Sequence, residues 1–488
     1  MSVPLRFLLN GQPVEETGFE PHSTLLEWLR EERGLTGCKE GCAEGDCGAC
    51  TVVTAEIDPM DGRRLIWRSV NACIQLLPML QGKALFTVEG LKQDGQLHPI
   101  QQAMVEHHAS QCGFCTPGFV MSLFALTRNR HAPTRSDVQR ALSGNLCRCT
   151  GYRPIIDAAL SLAERDLPTL DEAGLIDALK ALELPSGTAW RSAYSDRIWH
   201  APTGVEELAA LRTAHPEALL VAGNSDVGLW INKQLQDPPS LIGLGSVRAL
   251  QRIEERNGEL RIGAAVRLNE AFDALAVRHP GLRPFFDRFA SMPVRHAGTL
   301  VGNIANASPI GDAPPLMLAL DAQLLLNRDG QRRRLLLEDF FLGYRQTALA
   351  EGEFIEALLL PPTPEGLRVE AWKLSKRVDQ DIAAVTAAIA LRCDDSERIT
   401  HARFAFGGMA AVPARALRAE QAVLGRRRDV RTLEAARQAL AEDFTPLDDL
   451  RASAAYRLLA AQNLLTRFWF VQMDSDVPLT LDALEPVG

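Results

Sequence analysis

Nine of the ten cysteines lie between Cys38 and Cys149, and only Cys393 falls outside that stretch. Thiols so dense and so closely spaced in a cytosolic chain gather metal rather than disulfides, because the cytosol keeps them reduced. Cys42, Cys47 and Cys50 stand as C-x4-C-x2-C, and Cys73 follows after a further strand pair. This is the plant-type 2Fe-2S arrangement, in which one loop wraps the cluster with three thiolates and a distant fourth closes it. Gly41, Gly45 and Gly48 fall where the loop backbone has to approach inorganic sulfide with no side chain in the way. A structural zinc would also accept four thiolates, but zinc sites usually pair two short hooks. Cys38, in C-x3-C spacing to Cys42, fits the ferredoxin spacing poorly and reads as a bystander.

A second set follows, with Cys112 and Cys115 in C-x2-C spacing and Cys147 and Cys149 in C-x-C spacing. On spacing alone it could hold a zinc or a second 2Fe-2S cluster. Four helical segments can be drawn between about Pro99 and Glu164, falling into two pairs whose connecting loops each carry two of these cysteines. Thr116-Pro117 offers a capping hydroxyl and then a proline at the first helical position, and Pro154 does the same for Ile155 to Ala163. The cysteines then sit ahead of helix N-termini, whose free amides and partial positive charge suit thiolate and sulfide.

Upstream, Arg6 to Asn10 reads as a strand, Asn10-Gly11 as a hairpin turn, and Ser23 to Arg33 as a helix capped by Ser23 or Thr24. Cys50 to Ala55 and Arg64 to Ser69 read as a second strand pair, which gives a small β-rich unit with one helix. The stretch from about Arg165 to Tyr194, with Pro168, Pro185 and Gly187, reads as an interdomain linker. Beyond it the pattern is mixed α/β. A helix is expected over Val205 to Ala214, a strand over Ala218 to Ala222, a hairpin about Asn257-Gly258 within Leu250 to Ala265, and a short strand over Phe404 to Gly408.

A chain of 488 residues makes about three domains. Its 46% hydrophobic and 23% charged residues are ordinary globular usage, so disorder is not expected. No apolar run is long enough to span a membrane. With neither a cleavable leader nor a twin-arginine signal at the start, a cytoplasmic location is expected. The net charge of -9 and the lack of a concentrated basic face argue against nucleic acid as a partner, and the basic run Arg426-Arg427-Arg428 reads as solvated surface.

Two glycine-bearing segments remain. Leu220, Val221, Ala222, Gly223, Asn224, Ser225, Asp226, Val227 and Gly228 follow a strand and could turn the backbone around a pyrophosphate, although this is not the G-x-G-x-x-G fingerprint and such a turn is more often a plain connection. The segment from His296 to Asp312 adds glycines, amide side chains and a carboxylate suited to phosphates and a ribose.

Taken together, the strings GCAEGDCGACTV at Gly41 to Val52, QCGFCTPG at Gln111 to Gly118 and GNLCRCTGYR at Gly144 to Arg153 resemble the xanthine dehydrogenase and aldehyde oxidase family of molybdenum hydroxylases. The resemblance runs on through the two flavin segments, Gly343-Tyr-Arg-Gln-Thr347 and Lys373 to Gly407-Gly-Met409, and departs at Cys38, where relatives commonly have threonine. It implies a multidomain α+β chain: a β-grasp 2Fe-2S ferredoxin domain (1–90), a four-helix 2Fe-2S domain (91–165), the linker (166–195), an α+β FAD-binding domain (196–365) and a C-terminal α/β flavoprotein domain (366–488).

By position the resemblance makes Cys42, Cys47, Cys50 and Cys73 ligands of one 2Fe-2S cluster, and Cys112, Cys115, Cys147 and Cys149 ligands of the other. The helical-domain cluster would lie nearest the molybdenum cofactor, with Gln111 approaching the pterin, and the ferredoxin-type cluster nearer the flavin. Leu220 to Val227 and Thr299, Leu300, Val301, Gly302 and Asn303 would line the FAD pyrophosphate. Phe289, which alone reads as core, would stack on the adenine, Asp312 would hold the ribose side, and Ile355 and Lys373 would lie along the cofactor.

The implied role is that of the iron-sulfur and FAD subunit. It would carry electrons from hypoxanthine or xanthine, oxidised at molybdenum on a molybdopterin-binding large subunit, through two clusters to FAD and on to NAD, in an α2β2 assembly. No residue of this chain would then act as a catalytic acid or base. The chain stops after its last flavoprotein domain, so the large partner is expected to be separate. Other readings are the same role in a hydroxylase of aldehydes or N-heterocycles, a stand-alone iron-sulfur flavoprotein diaphorase, and a zinc-stabilised assembly subunit. A molybdopterin-type neighbouring reading frame would favour the hydroxylases, and a colourless protein the zinc subunit.

Overall fold

The computed structural model describes residues 4–130, 132–184 and 190–472. The expected Pro185 and Gly187 of the linker lie outside the described residues.

The N-terminal unit is a mixed five-stranded sheet in the order β2-β1-β5-β3-β4, built from β1 (Leu5–Leu9), β2 (Gln12–Glu16), β3 (Thr51–Ile57), β4 (Leu65–Asn71) and β5 (Ala84–Phe86). Asn10 and Gly11 both take positive φ, 51° and 82°, which is what a two-residue hairpin between right-twisted strands needs. Thr24, not Ser23, caps the following helical turn. Its hydroxyl accepts from the Glu27 amide at 3.1 Å while the Glu27 carboxylate accepts from the Thr24 amide at 2.9 Å. The expected helix continues as a wider turn, in which the Arg33 amide donates to the Trp28 carbonyl at 3.1 Å, and ends at Glu32.

Alternation along β3 sends Val53 and Ala55 to one face of the sheet and Val52 to the other. The first face meets Phe119, Leu123 and Phe124 of the helical unit, which comprises α1 (Pro99–Glu106), α2 (Thr116–Asn129), α3 (Arg135–Leu142) and α4 (Arg153–Leu160). The second packs on Leu25, Trp28 and Leu29 and on Trp190, Trp199 and Leu241 from the flavin region. Each large side chain buried this way contributes about 1.5–3 kcal/mol. The sheet is thus clamped between its neighbours.

The linker is more structured than its polarity suggests. Asp171 accepts from the Gly174 amide and starts α5 (Glu172–Ala181), whose Ile176 and Leu179 pack into the helical core. The spacing of Leu175, Ile176, Leu179 and Leu182 behind an acidic cap is the signal that marks this helix.

In the flavin region, β6 (Trp190–Tyr194), β7 (Arg197–Ala201), α6 (Val205–Ala214), β8 (Leu219–Val221), α7 (Val227–Asn232) and β9 (Ser240–Gly243) form a four-stranded sheet with helices. A second sheet has the order β10-β11-β16-β12-β13. Its hairpin of β10 (Ile253–Arg256) and β11 (Glu259–Gly263) turns at Asn257-Gly258, and it is completed by β12 (Gln323–Arg328), β13 (Gln331–Leu336) and β16 (Phe354–Leu360), with the separate two-stranded pair β14 (Phe341–Gly343) and β15 (Gln346–Thr347) falling before β16 in the chain. Between β11 and β12 in the chain come α8 (Leu268–Arg278), α9 (Met292–Ala297), α10 (Leu300–Ala305) and α11 (Ala313–Ala319).

The C-terminal unit is an antiparallel sheet of β17 (Arg368–Leu374), β18 (Val385–Cys393), β19 (Ile399–Gly407) and β20 (Ala414–Arg415), with helices packed on one face. β19 starts five residues ahead of the expected Phe404 because its early residues pair with the end of β18. Among the described residues no helix is long and apolar enough to cross a membrane.

Candidate functional site

The loop from Cys38 to Cys50 enters β3, and Cys73 follows β4, so the β3–β4 pairing brings the four expected thiols together. The Cys50 and Cys73 sulfurs are 3.3 Å apart and both are almost fully buried. The amides of Glu44, Asp46 and Cys47 all point at the Cys42 sulfur, each at 3.4 Å. Hydrogen bonds from the Cys47 and Cys73 thiols pull the Cys42 thiol well below the usual range, and the bonds of Cys73 to Cys42 and Cys50 push Cys73 far above it. Four such thiols cannot all ionise unless positive charge is shared among them, so the donor set fits a cationic iron core. Cys42 meets both Cys47 and Cys73, and Cys73 in turn meets Cys50, so the four thiols form one connected set. All ten cysteines are free thiols.

Cys38 sits beside this set with its thiol donating to the Cys50 carbonyl at 3.2 Å, and burial pushes its proton affinity up. Gly41 approaches Cys47 closely: a Cβ there would lie 2.8 Å from its sulfur. Gly48 differs from its expected role. It has φ +70°, and a Cβ there would run into the Gly144 carbonyl of the second cysteine loop. Its lack of a side chain serves loop-to-loop packing.

The second set lies on the surface. Cys112 and Cys149 are exposed with their sulfurs 3.7 Å apart, while Cys115 and Cys147 are half-buried. Burial and then the neighbouring Cys147 push Cys115 up to about 12. Burial also acts on Cys147, but the Thr150 hydroxyl and the amides of Thr150 and Cys149 outweigh it and lower its proton affinity. Cys115 itself is the N-cap residue of α2. The Thr116 hydroxyl, expected as the cap, donates instead to Ser110 at 2.8 Å, because Thr116 is already the first helical residue. Tyr152, at φ 68°, precedes α4 and accepts from the Cys147 amide through its hydroxyl at 3.0 Å. Gln111 donates to the Cys149 carbonyl at 3.1 Å. Exposed Phe114, Leu146 and Tyr152 are apolar side chains from the same cysteine loops.

A cavity of 510 Å³ opens between the flavin region and the C-terminal unit. Leu220, Ala222, Gly223, Asn224, Ser225, Asp226, Val227, Phe289, Thr299, Gly302, Asn303, Asp312 and Lys373 line it. Val221, Leu300, Val301 and Ile355 do not; their side chains lie in the core, and Ile355 sits in β16 opposite Leu326. Gly223 can take no side chain, since a Cβ there would enter the Ala297 carbonyl.

The Thr299 hydroxyl caps α10 by accepting from the Gly302 amide at 3.0 Å. Phe289 packs edge-on to Phe272 at 5.0 Å, which leaves the rest of its ring for the cavity. Asp312 and Lys373 pair at 2.7 Å, and Thr386 donates to Asp312 at 2.7 Å, so both charges arrive at the wall already neutralised. Asn224 Oδ1, Asn303 Oδ1 and Ser291 Oγ are buried without a partner on this lining, which fits a polar ligand such as a nucleotide flavin.

Part of the cavity wall had no signal in the sequence. Glu44, Gly45 and Asp46, between Cys42 and Cys47, face it, and Gln380 from the far end of the chain donates to the Asp46 carbonyl at 2.7 Å. Asn224 donates to the Ile74 carbonyl at 2.7 Å and Asn232 to the Cys73 carbonyl at 2.6 Å. The first cysteine set is therefore fastened to the cavity.

Four family models match: a 2Fe-2S iron-sulfur cluster binding domain at 7–76, a [2Fe-2S] binding domain at 87–160, the FAD binding domain in molybdopterin dehydrogenase at 192–363, and the CO dehydrogenase flavoprotein C-terminal domain at 370–470. The chain is 34% identical to xanthine dehydrogenase of Emericella nidulans, over 95% of its own length and 38% of that protein's. It is 30% identical to xanthine dehydrogenase/oxidase of Gallus gallus, over 96% of its length and 39% of that protein's. The chain thus spans about two fifths or less of the length of these curated relatives.

Among solved structures it resembles carbon monoxide dehydrogenase from Hydrogenophaga pseudoflava, with TM-score 0.52 and 29% identity, over 55% of this chain and 94% of that one. Quinoline 2-oxidoreductase from Pseudomonas putida 86 gives TM-score 0.51 and 28% identity, over 56% and 94%.

Proposed function

The chain belongs to the molybdenum hydroxylase family, carrying its two iron-sulfur domains and its flavin domain, and on that premise we propose that it is the electron-transfer subunit of a xanthine dehydrogenase. In this reading it carries electrons from hypoxanthine and xanthine, oxidised at molybdenum on a molybdopterin-binding partner, to NAD, in an α2β2 assembly in the cytoplasm. When bound, the clusters would supply one-electron carriers and FAD a two-electron carrier, so that one chain could split a pair of electrons and rejoin it.

The chain's own residues have three tasks. Cys112, Cys115, Cys147 and Cys149 would hold one cluster at a surface where Phe114, Leu146 and Tyr152 offer apolar area to a partner. Cys42, Cys47, Cys50 and Cys73 would hold the other deeper in the protein, with Cys50 and Cys73 buried and Cys42 and Cys47 half-buried. Gly223, Asn303 and the Asp312–Lys373 pair would seat and orient the flavin. The observation that carries the reading is continuity: the loop bearing Cys42 and Cys47 contacts the second cysteine loop on one side and walls the flavin cavity with Glu44, Gly45 and Asp46 on the other.

The test is anaerobic addition of xanthine and NAD to the protein purified with whatever accompanies it. Bleaching of the visible spectrum by xanthine, with NADH formed and molybdenum in a larger chain, is the expected result; a loaded complex inert to both purines refutes the substrate. The likeness to carbon monoxide dehydrogenase and quinoline 2-oxidoreductase supports a second reading, the same electron-transfer role for another small substrate. Bleaching by an aldehyde or N-heterocycle and not by xanthine would select it.

A further inference from the structure

The stretch just ahead of Cys147 makes an unusually direct contact with the first cysteine loop. Asn145 is 2% exposed, and its side-chain amide donates to the Gly48 carbonyl at 3.1 Å and to the Thr51 hydroxyl at 3.3 Å. Its side-chain oxygen accepts from the Ser122 hydroxyl at 2.6 Å, and its backbone amide donates to the Leu142 carbonyl at 2.9 Å. Every polar atom of the side chain is thereby used: the amide group fastens the first cysteine loop, and the oxygen anchors Asn145 to Ser122 on α2.

Two glycines let the backbones close in. A Cβ on Gly48 would enter the Gly144 carbonyl, and one on Gly118 would enter the Gly48 carbonyl. With the loops so held, the Leu146 amide donates to the Cys47 carbonyl at 2.9 Å. Cys47 belongs to the first thiol set, and the residue after Leu146 is Cys147 of the second. One hydrogen bond therefore completes an otherwise covalent path between a thiol of each set.

Resting on the two-cluster reading above, we propose that Asn145 is a positioning residue that holds this Cys47–Leu146 hydrogen bond and so sets the rate of electron exchange between the two thiolate-bound clusters. The step moves one electron from one set to the other, breaks no bond and transfers no proton. An asparagine suits the place because it needs two donors and one acceptor in a plane without net charge. A carboxylate would turn an acceptor toward the Gly48 carbonyl and add negative charge beside the thiolates. Loss of the amide leaves Ser122 without its buried acceptor and removes the bond from the second loop to the Gly48 carbonyl, which keeps only the Thr51 amide and hydroxyl of its own loop; the loops can then part, and small misplacements of reacting partners change rates steeply.

The test compares iron-loaded wild-type protein with Asn145→Ala, Asn145→Asp and Ser122→Ala. Each is assayed for iron, for the paramagnetic interaction between the two reduced clusters, and for the rate at which electrons redistribute between them after flash photoreduction. The expected result for Asn145→Ala and Asn145→Asp is unchanged iron, a weakened interaction and redistribution slower by roughly tenfold or more. Ser122→Ala, which leaves the Gly48 and Thr51 contacts in place, should give a smaller slowing in the same direction. Unchanged interaction and rates with iron retained overturn the proposal. If the Asn145 variants lose iron, Ser122→Ala decides alone, a slowing supporting the proposal and an unchanged rate overturning it. A wild-type protein without two iron signals would instead overturn the two-cluster reading itself.

Discussion

The two sets of four cysteines offer the same atoms from opposite environments. Cys50 and Cys73 are 1% and 2% exposed and share a core with Trp28, Trp190 and Trp199, while Cys112 and Cys149 are open to solvent. The first set is fixed by a β-sheet, the second by loops at the ends of helices. Burial would separate their tasks in the proposed function: the set fastened through Asn224 to the cavity wall would serve as a fixed inner relay, and the set at the surface would face another protein.

Removing one thiol from each set should break them differently. Cys73→Ser is expected to lose the interior cluster and to destabilise the N-terminal region by about 3 kcal/mol or more, read from iron content and the denaturation midpoint. Cys147→Ser should lose the surface cluster with a smaller loss of stability, about 1 kcal/mol, because this thiol is only half-buried. It should stop purine-to-NAD turnover yet spare NADH reduction of a dye through FAD. If dye reduction vanished while FAD stayed bound, the division between the two sets would be wrong.

Much of this contrast could not be read from the sequence. Cysteine spacing is local, so the two sets of thiols were legible, as were the hairpin at Asn257-Gly258 and the helix over Val205–Ala214. Depth is not local. Whether a cysteine is buried depends on Trp190 or Leu241 arriving from over a hundred residues away. For the same reason Glu44 to Asp46 gave no hint of walling the flavin cavity, and Ile355, expected along the cofactor, has its side chain in the core. The α5 helix was hidden by polar ends, although its apolar spacing was there to be read. Thr116 misled because the cysteine before it occupies the cap.

Smaller changes sharpen the comparison. Asn224→Ala leaves the Ile74 carbonyl without its donor and should cost about 1–3 kcal/mol, with reduced FAD occupancy at wild-type iron content. Cys38→Ser keeps a donor to the Cys50 carbonyl and should leave iron and FAD unchanged, with stability altered by no more than about 1 kcal/mol. Loss of the interior cluster in that variant would make Cys38 a ligand.

The central claim, two iron-sulfur sets of unequal burial beside one flavin, is tested most directly by metal and flavin analysis during graded chelation of the purified protein. The account predicts about four irons and one FAD per chain, with the two surface irons leaving before the two interior ones. A colourless protein containing zinc, or iron lost from both sets together, would contradict it.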